Sequence, residues 1–551
     1  MTRASHKRFS LLAQQELHFA ILTWASYCFM ILCTRQTAQS YAFFPRVKTS
    51  LNMNIKLTEK PSPITTETVA LSGRSFGELQ SVGGKLFYHC RDPERKGLCH
   101  VEAIVDEKSS FMATPAAANV RSVVHEYGGG SYLAVELNES FKYIIYTDFN
   151  HGNKLCAVPF TGTSMQDHDQ EVITLYPIDE TNNKAVRFAD FEYDRHRHRL
   201  ICIMEDHTDP KPSQVVNSIV SVSLHPLMVH AGLSDAEEQS EHPKLIECLA
   251  KGNDFYSTPK LSPDGTALAF VTWNHPRMPW FVTELCIQPL HPDGYPRFDE
   301  LCVVHGDKSK ADDQEGAVSV CDPRWDPHRH KLYFVSDVQN GYYNLFVWDG
   351  QESKCILPKQ ADFTDAGFGW VFRTSPYVIR PDGTLFAIMD GATLVKIDPD
   401  YQITEYGHDV IPPTSLRSLC LTDENTLHFL GGSPLEPVNI YKWSMLDNES
   451  ATVVIPSIDP NKVDLSLYQP YMSAPQKISF PNRRGTVSHA YFYPPKNTLV
   501  QKPPLLVKAH GGPTSQTSTT FRLSLQYWTS RGFAILDVDY GGSLGYGRKV
   551  C

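Results

Sequence analysis

Along most of the chain the apolar residues fall in short runs separated by turn residues, and the three-and-four spacing of an amphipathic helix is almost absent. One unit recurs: a turn rich in Gly, Asp, Asn or His leads into a β-type run, and a second such run usually follows. The first runs are Lys85-Leu-Phe-Tyr-His89, Tyr143-Ile-Ile-Tyr146, Leu200-Ile-Cys-Ile-Met204 and Leu268-Ala-Phe-Val-Thr-Trp273. Lys331-Leu-Tyr-Phe-Val335, Leu385-Phe-Ala-Ile-Met389 and Leu427-His-Phe-Leu430 complete the series. Two of them follow the same kind of turn, Ser262-Pro-Asp-Gly265 and Arg380-Pro-Asp-Gly383, in which Pro presets φ and Gly takes a positive-φ position. Seven repeats of short strands predict an all-β, seven-bladed β-propeller, a closed ring that leaves no long open sheet edge. Two β-sandwiches would not explain why the same unit keeps returning.

After Trp443 the rhythm stops, and Pro456, Pro460, Pro470 and Pro475 mark a linker. Residues 476–481 and 486–493 predict a hairpin turning at Asn482-Arg-Arg-Gly485. The stretch from Pro503 to His510 reads as a buried strand and ends in Gly511-Gly512-Pro513. A helix from about Thr519 to Arg531 follows, and then a second buried strand from Phe533 to Tyr540. Strand, glycine turn, helix and strand make a βαβ unit, the opening of a parallel sheet. The expected organisation is a targeting segment or extension at 1–52, a propeller at 53–450, a linker at 451–475, and an incomplete α/β domain at 476–551.

Composition narrows the function classes. The 551 residues are 41% hydrophobic and 20% charged, ordinary for a globular protein and too many for one core. Lys and Arg total 51 against 61 Asp and Glu, a net charge of -10, which argues against nucleic acid as a partner because phosphate binding needs concentrated basic residues. The 13 cysteines form no C-x-x-C pair, so neither a zinc site nor a small disulfide scaffold fits, and reduced thiols suggest the cytoplasm. No cofactor or metal is expected. Arg3, His6, Lys7 and Arg8 precede an uncharged stretch at 17–34. Three readings of it stay open: a signal peptide or anchor, making the protein secreted or membrane-anchored; an organelle transit peptide; or a plain extension ahead of Met53. The polar insertion at 234–242, with Glu237 and Glu238, reads as a surface loop.

Two stretches carry candidate chemistry. His510-Gly511-Gly512-Pro513, at the end of a strand, suits an oxyanion site, because glycines turn sharply and leave amide N–H groups bare. The alternative is a tight strand-to-helix turn with no ligand. Gly541-Gly542-Ser543-Leu544-Gly545 matches the G-x-S-x-G pattern of a nucleophile elbow. Against Ser543 as nucleophile, an elbow passes straight into a helix, and Gly545-Tyr546-Gly547 is poor helix material. The acid and the histidine should also follow the serine, and residues 544–551 hold neither.

The chain resembles the prolyl oligopeptidase family of serine peptidases, most closely its acylaminoacyl-peptidase and dipeptidyl-peptidase branch. The words that carry this are Ser62-Pro-Ile-Thr65, Val124-His-Glu-Tyr-Gly-Gly-Gly130, Asp254-Phe-Tyr-Ser-Thr-Pro259 with Ser262-Pro-Asp-Gly265, and Trp273-Asn-His-Pro-Arg-Met-Pro-Trp280. Pro323-Arg-Trp325, Tyr342-Tyr-Asn-Leu345, His510-Gly-Gly-Pro513 and Asp539-Tyr-Gly-Gly-Ser-Leu-Gly-Tyr-Gly547 complete the set. The resemblance implies a seven-bladed propeller capping an α/β-hydrolase, and hydrolysis of short peptides through an acyl-enzyme. It implies backbone oxyanion donors at Gly512 first and Gly511 second, and makes Ser543 a loop serine upstream of the nucleophile. His510, Tyr540 and Glu126 are candidate substrate contacts, Glu126 through a peptide α-amine, with a structural role at a blade turn as its alternative.

Gly541 stands where the family has an Arg, and Phe281 where it has an Asp. The nucleophile, acid and histidine of the family belong to a region beyond residue 551, so the chain is expected to be a C-terminally truncated peptidase, inactive alone. The alternative is a non-catalytic propeller that binds partners or regulates a full-length relative. A homo-oligomer is compatible with either.

Overall fold

The seven runs read from the sequence are each the second strand of a four-stranded antiparallel sheet. The computed structural model describes residues 58–548 apart from 59, 72, 161–170, 177–184, 235–244, 308–315, 365–370, 448, 484, 497 and 513. The stretch 17–34 and Glu237-Glu238 lie outside the described residues. The seven sheets span 75–112, 132–176, 186–250, 255–305, 320–355, 377–405 and 415–455, and within each the strands pair in chain order. The seventh sheet takes its last strand from Thr452–Ile455, residues that the sequence reading assigns to the linker.

Each sheet is apolar on both faces, so each must pack on two neighbours. Phe87 and Val101 of the first sheet meet Ile144 and Val158 of the second. Tyr143 and Ile145 meet Leu200 and Val220 of the third, whose Ile201 and Ile203 meet Leu268 and Phe270 of the fourth. The series continues from Ala269 and Val271 to Phe334, from Tyr333 and Val335 to Leu385, and from Phe386 to Phe429. It closes where Leu430, Ile440 and Val454 of the seventh sheet pack on Phe76, Leu86 and Tyr88 of the first. This is a β-propeller arrangement in which side-chain burial closes the ring, with no strand shared between the first and seventh sheets among the described residues. Each fully buried large side chain contributes roughly 1.5–3 kcal/mol.

From the first sheet to the fifth, and from the sixth through the seventh back to the first, the first strands of neighbouring sheets lie next to one another. In five of them the pairing slips where a residue takes a left-handed conformation: Glu78, Asp190, Thr258, Asp322 and Ser418. These β-bulges aim polar groups inward. Thr258 N donates to Asp190 Oδ2 at 2.7 Å, Lys260 Nζ pairs with Glu192 at 2.7 Å, and Arg373 Nε lies 3.6 Å from Asp190 Oδ1. Arg373 comes from the segment ahead of the sixth sheet, and its neighbour Phe372 forms a parallel bridge with Gly129 from the connection between the first and second sheets.

The last sheet has the order Gln476–Pro481, Val487–Tyr493, Ala534–Asp539, Leu505–Ala509. The first two strands form the expected hairpin, and Leu505–Ala509 runs parallel to Ala534–Asp539. Two expectations need correction. The helix is Leu523–Thr529 and does not begin at Thr519, because the hydroxyl-rich run before it bonds locally, Ser518 Oγ accepting from Thr520 N at 3.2 Å. Leu505–Ala509 is not a buried strand: it is the edge of the sheet among the described residues, and Leu505 and Val507 are exposed.

Residues ahead of the first sheet, read from sequence as propeller, pack on this last part. Ile64 clusters with Met472, Phe521 and Leu523, and Arg531 Nη2 donates to Ile64 O at 2.8 Å. No helix of the described residues is long and apolar enough to cross a membrane. The ten described cysteines are free thiols.

Candidate active-site region

Parallel pairing brings the two chemical words together. Ala509 lies opposite Val538, so the residues that follow each strand leave the same end of the sheet side by side. That end carries His510 on one side and Asp539, Tyr540 and Ser543 on the other. His510 Nε2 lies 2.6 Å from Ser543 Oγ and 3.9 Å from Asp539 Oδ1. The His510 ring stacks on Tyr540 at 4.3 Å, and the Tyr540 hydroxyl donates to His510 O at 3.2 Å. Asp539 is 2% exposed and accepts from Thr517 N at 2.8 Å and from the Tyr546 hydroxyl at 2.8 Å.

Serine, histidine and aspartate thus meet, but not as a catalytic triad. In a triad the acid binds one imidazole nitrogen and the serine the other. Here both approach Nε2. Ser543 has no exposed surface, and the chain after it continues in turns, with Ser543 N donating to Tyr540 O at 3.0 Å. Its hydroxyl is buried against His510 in this arrangement. The three side chains instead fix the loop 540–548 against the end of the neighbouring strand.

Gly511 and Gly512 are exposed bends immediately after His510. Gly541 faces open space, so a larger residue would fit there. Beside this end of the sheet lies a cavity of about 510 Å³ between the last sheet and the fifth, sixth and seventh sheets. Asp362, Asp390, Arg417, Lys477, Thr517 and Tyr546 line it. Burial pushes the Asp362 carboxyl up to about 6.

Glu126, the other candidate substrate contact, is not brought to His510 by any contact of the described residues. Its carboxylate is exposed and pairs with Arg187 at 2.8 Å, which also holds Glu205 at 3.2 Å. His125 beside it is structural. Its ring is packed among Phe255, Trp273 and Phe372, neither nitrogen has a partner among the described residues, and burial pushes its pKa down to about 3. The glycines that follow explain the motif: a Cβ on Gly128 would lie 2.2 Å from Ser122 O, and one on Gly130 would lie 2.6 Å from Asp190 N.

Among the described residues one set of side chains has metal-ligand spacing, Cys90, His100 and Glu102 in the first sheet. It is better explained as a hydrogen-bonded carboxylate. Glu102 accepts from His100 Nε2 at 2.9 Å, Ser110 Oγ at 2.6 Å and the Tyr88 hydroxyl, and pairs with Arg74 at 3.2 Å. Burial pushes the Glu102 pKa up, but these bonds and the Arg74 charge outweigh it and bring it down to about 2. A divalent cation would have to displace those donors beside a guanidinium.

The grip of the propeller on the loop 540–548 had no sequence signal. Arg548 Nε lies 2.8 Å from Asp337 Oδ2, and Gly545 N donates to Asp362 Oδ2 at 3.2 Å. Both partners belong to connections of the propeller some 200 residues earlier, where nothing local marks them.

No family model matches the chain, and no curated protein matches it. Solved structures do. A Mycobacterium tuberculosis puromycin-hydrolyzing peptidase is 25% identical, with a TM-score of 0.76 over 90% of this chain and 71% of its own. A puromycin hydrolase is 24% identical, with a TM-score of 0.75 over 89% of this chain and 70% of its own. The acylaminoacyl peptidase of Pyrococcus horikoshii, 13% identical, shares the fold with a TM-score of 0.56 over 87% of this chain and 67% of its own. The ordered words of the sequence and the propeller with its mixed final sheet agree with these likenesses: the chain is similar to solved peptidases of the prolyl oligopeptidase family.

Proposed function

We propose that this chain is the greater part of a serine peptidase that hydrolyses short peptides through an acyl-enzyme, releasing acylated residues or dipeptides. Its seven sheets are read as the blades of a seven-bladed propeller, and its last sheet as the opening part of an α/β-hydrolase domain. The observation that carries the reading is the parallel strand that ends at His510, against Ser543 of the loop 540–548 and directly ahead of Gly511-Gly512 in the chain. A glycine turn in that place offers amide donors to a tetrahedral oxyanion. Gly512 is assigned the first donor and Gly511 the second, with His510 and Tyr540 beside the substrate and Glu126 a candidate for its α-amine.

The nucleophile, acid and base are assigned to none of residues 1–551. Residues 1–551 alone are therefore inactive in this reading, since loss of a whole triad costs on the order of a millionfold in turnover. A fluorogenic acyl-dipeptide or dipeptide reporter tests this: no saturable cleavage is expected from residues 1–551. Saturable cleavage that disappears in Ser543→Ala would move the nucleophile to Ser543 and overturn the assignment. A second reading, a propeller acting as a binding module, draws on the ring of sheets closing on itself without help from the last sheet.

A further inference from the structure

The loop after Ala534–Asp539 is held from two directions. On one side Ser543 Oγ bonds His510 Nε2. On the other, Leu544 is buried in the cluster shared by the fifth and sixth sheets, with Tyr343, Leu357 and Tyr377. Arg548 reaches furthest into the propeller. Its Nε pairs with Asp337, its backbone N donates to Gly341 O at 2.7 Å, and its guanidinium donates to the carbonyls of Ala317 and Phe281. The propeller groups are fixed points. Asp337 is 3% exposed and accepts from Ser319 N at 2.8 Å, while Asp362 Oδ1 accepts from Tyr343 N at 2.8 Å. Gly547, at φ +77°, passes so close to Tyr342 that a Cβ would lie 3.0 Å from its ring.

We propose that Arg548 is a positioning residue: the propeller, by gripping Arg548 at Asp337 and Gly545 at Asp362, fixes the loop 540–548, and through Ser543 fixes the imidazole of His510. His510 is the residue from which the Gly511-Gly512 turn departs, so the propeller would set the point where that turn begins. The proposal rests on the peptidase reading for the purpose of that turn, and on geometry alone for the coupling. It also gives Ser543 a role, as the link between the two halves and not as a nucleophile.

Hydrogen–deuterium exchange on the full 551-residue chain tests the coupling, because each arm of the link can be cut separately. Arg548→Ala is expected to raise exchange about tenfold or more both in 540–548 and in 505–510, with the strand Arg199–Asp206 unchanged as a control for global loosening. Ser543→Ala is expected to loosen 505–510 and leave 544–548 as in the parent chain. Arg548→Lys, which keeps a charge for Asp337, should fall between the parent and Arg548→Ala, and it carries the same comparison if Arg548→Ala does not fold. Exchange at 505–510 that stays at the parent rate in the Arg548 variants would overturn the proposal. So would loosening of 544–548 in Ser543→Ala to the extent seen for Arg548→Ala. None of these readouts needs turnover, so a failure of the peptidase reading would leave the coupling intact and would be recognised separately.

Discussion

Gly129 and Phe372 meet backbone to backbone, and a Cβ on Gly129 would lie 2.6 Å from the Phe372 carbonyl oxygen. The contact ties the connection between the first and second sheets to the one ahead of the sixth, with Phe372 N donating to Gly128 O at 3.2 Å. Beneath it Arg373 reaches Asp190, and only about 50 Å³ of cavity remains among Asp190, Lys260, Arg324 and Arg373.

Gly129→Ala should therefore be costly on two counts. Its φ of +87° strains any L side chain, and the clash is with backbone that cannot turn aside. A loss of about 2–4 kcal/mol is expected in urea unfolding. Gly391→Ala is the control, at φ +65° with nothing within 4 Å, and should lose only about 1 kcal/mol. Equal losses in the two would refute the close-contact argument.

Acid stability should depend on His125. Burial holds its folded pKa at about 3, below the ordinary 6.5, so between those values the unfolded chain binds a proton that the folded chain does not. Stability from this group is complete above about 6.5 and is lost as pH falls toward 3. His305 and His428, both pushed down to about 4, act in the same direction. Asp337 and Asp362, raised to about 6, act oppositely and gain stability as pH falls from 6 toward the ordinary carboxylate range. His125→Phe keeps the ring packing and removes the titration. Its stability relative to the parent should rise by about 1–2 kcal/mol between pH 7 and pH 5. A constant difference across that range would count against the buried neutral histidine.

Glu102 should behave as a structural carboxylate. Glu102→Gln leaves Arg74 without its partner and mismatches the donors of Tyr88, Ser110 and His100, an expected loss of about 3 kcal/mol. The folded pKa is depressed, so the contribution is present above the ordinary carboxylate pKa and fades as pH falls toward 2. Chelators should leave the thermal midpoint of the parent chain unchanged. A fall with chelator, reversed by zinc, would make Cys90, His100 and Glu102 a metal site.

What the sequence could and could not convey follows from where the information lies. The second strands were legible because they are continuous apolar runs behind a turn. Five of the first strands were not, because bulges at Glu78, Asp190, Thr258, Asp322 and Ser418 break their alternation. The Pro-Asp-Gly turns were legible as turns but not as docking points. Arg197 of the third sheet donates to Gly265 O at 2.9 Å and Arg329 of the fifth to Asp382 O, so one sheet's arginine holds the next turn. At the site, both glycine words were readable. The bond of Ser543 to His510 and the reach of Arg548 to Asp337 depend on long-range packing that no local pattern encodes.

The most direct test of the peptidase account is a fluorophosphonate probe applied to the endogenous protein, with the mass read on a denaturing gel by an antibody against the propeller. The account takes no activated serine from residues 1–551, so it predicts that the labelled, antibody-reactive band runs well above 62.1 kDa. An antibody-reactive band at 62.1 kDa that takes no label would contradict it and favour a propeller that binds without cutting.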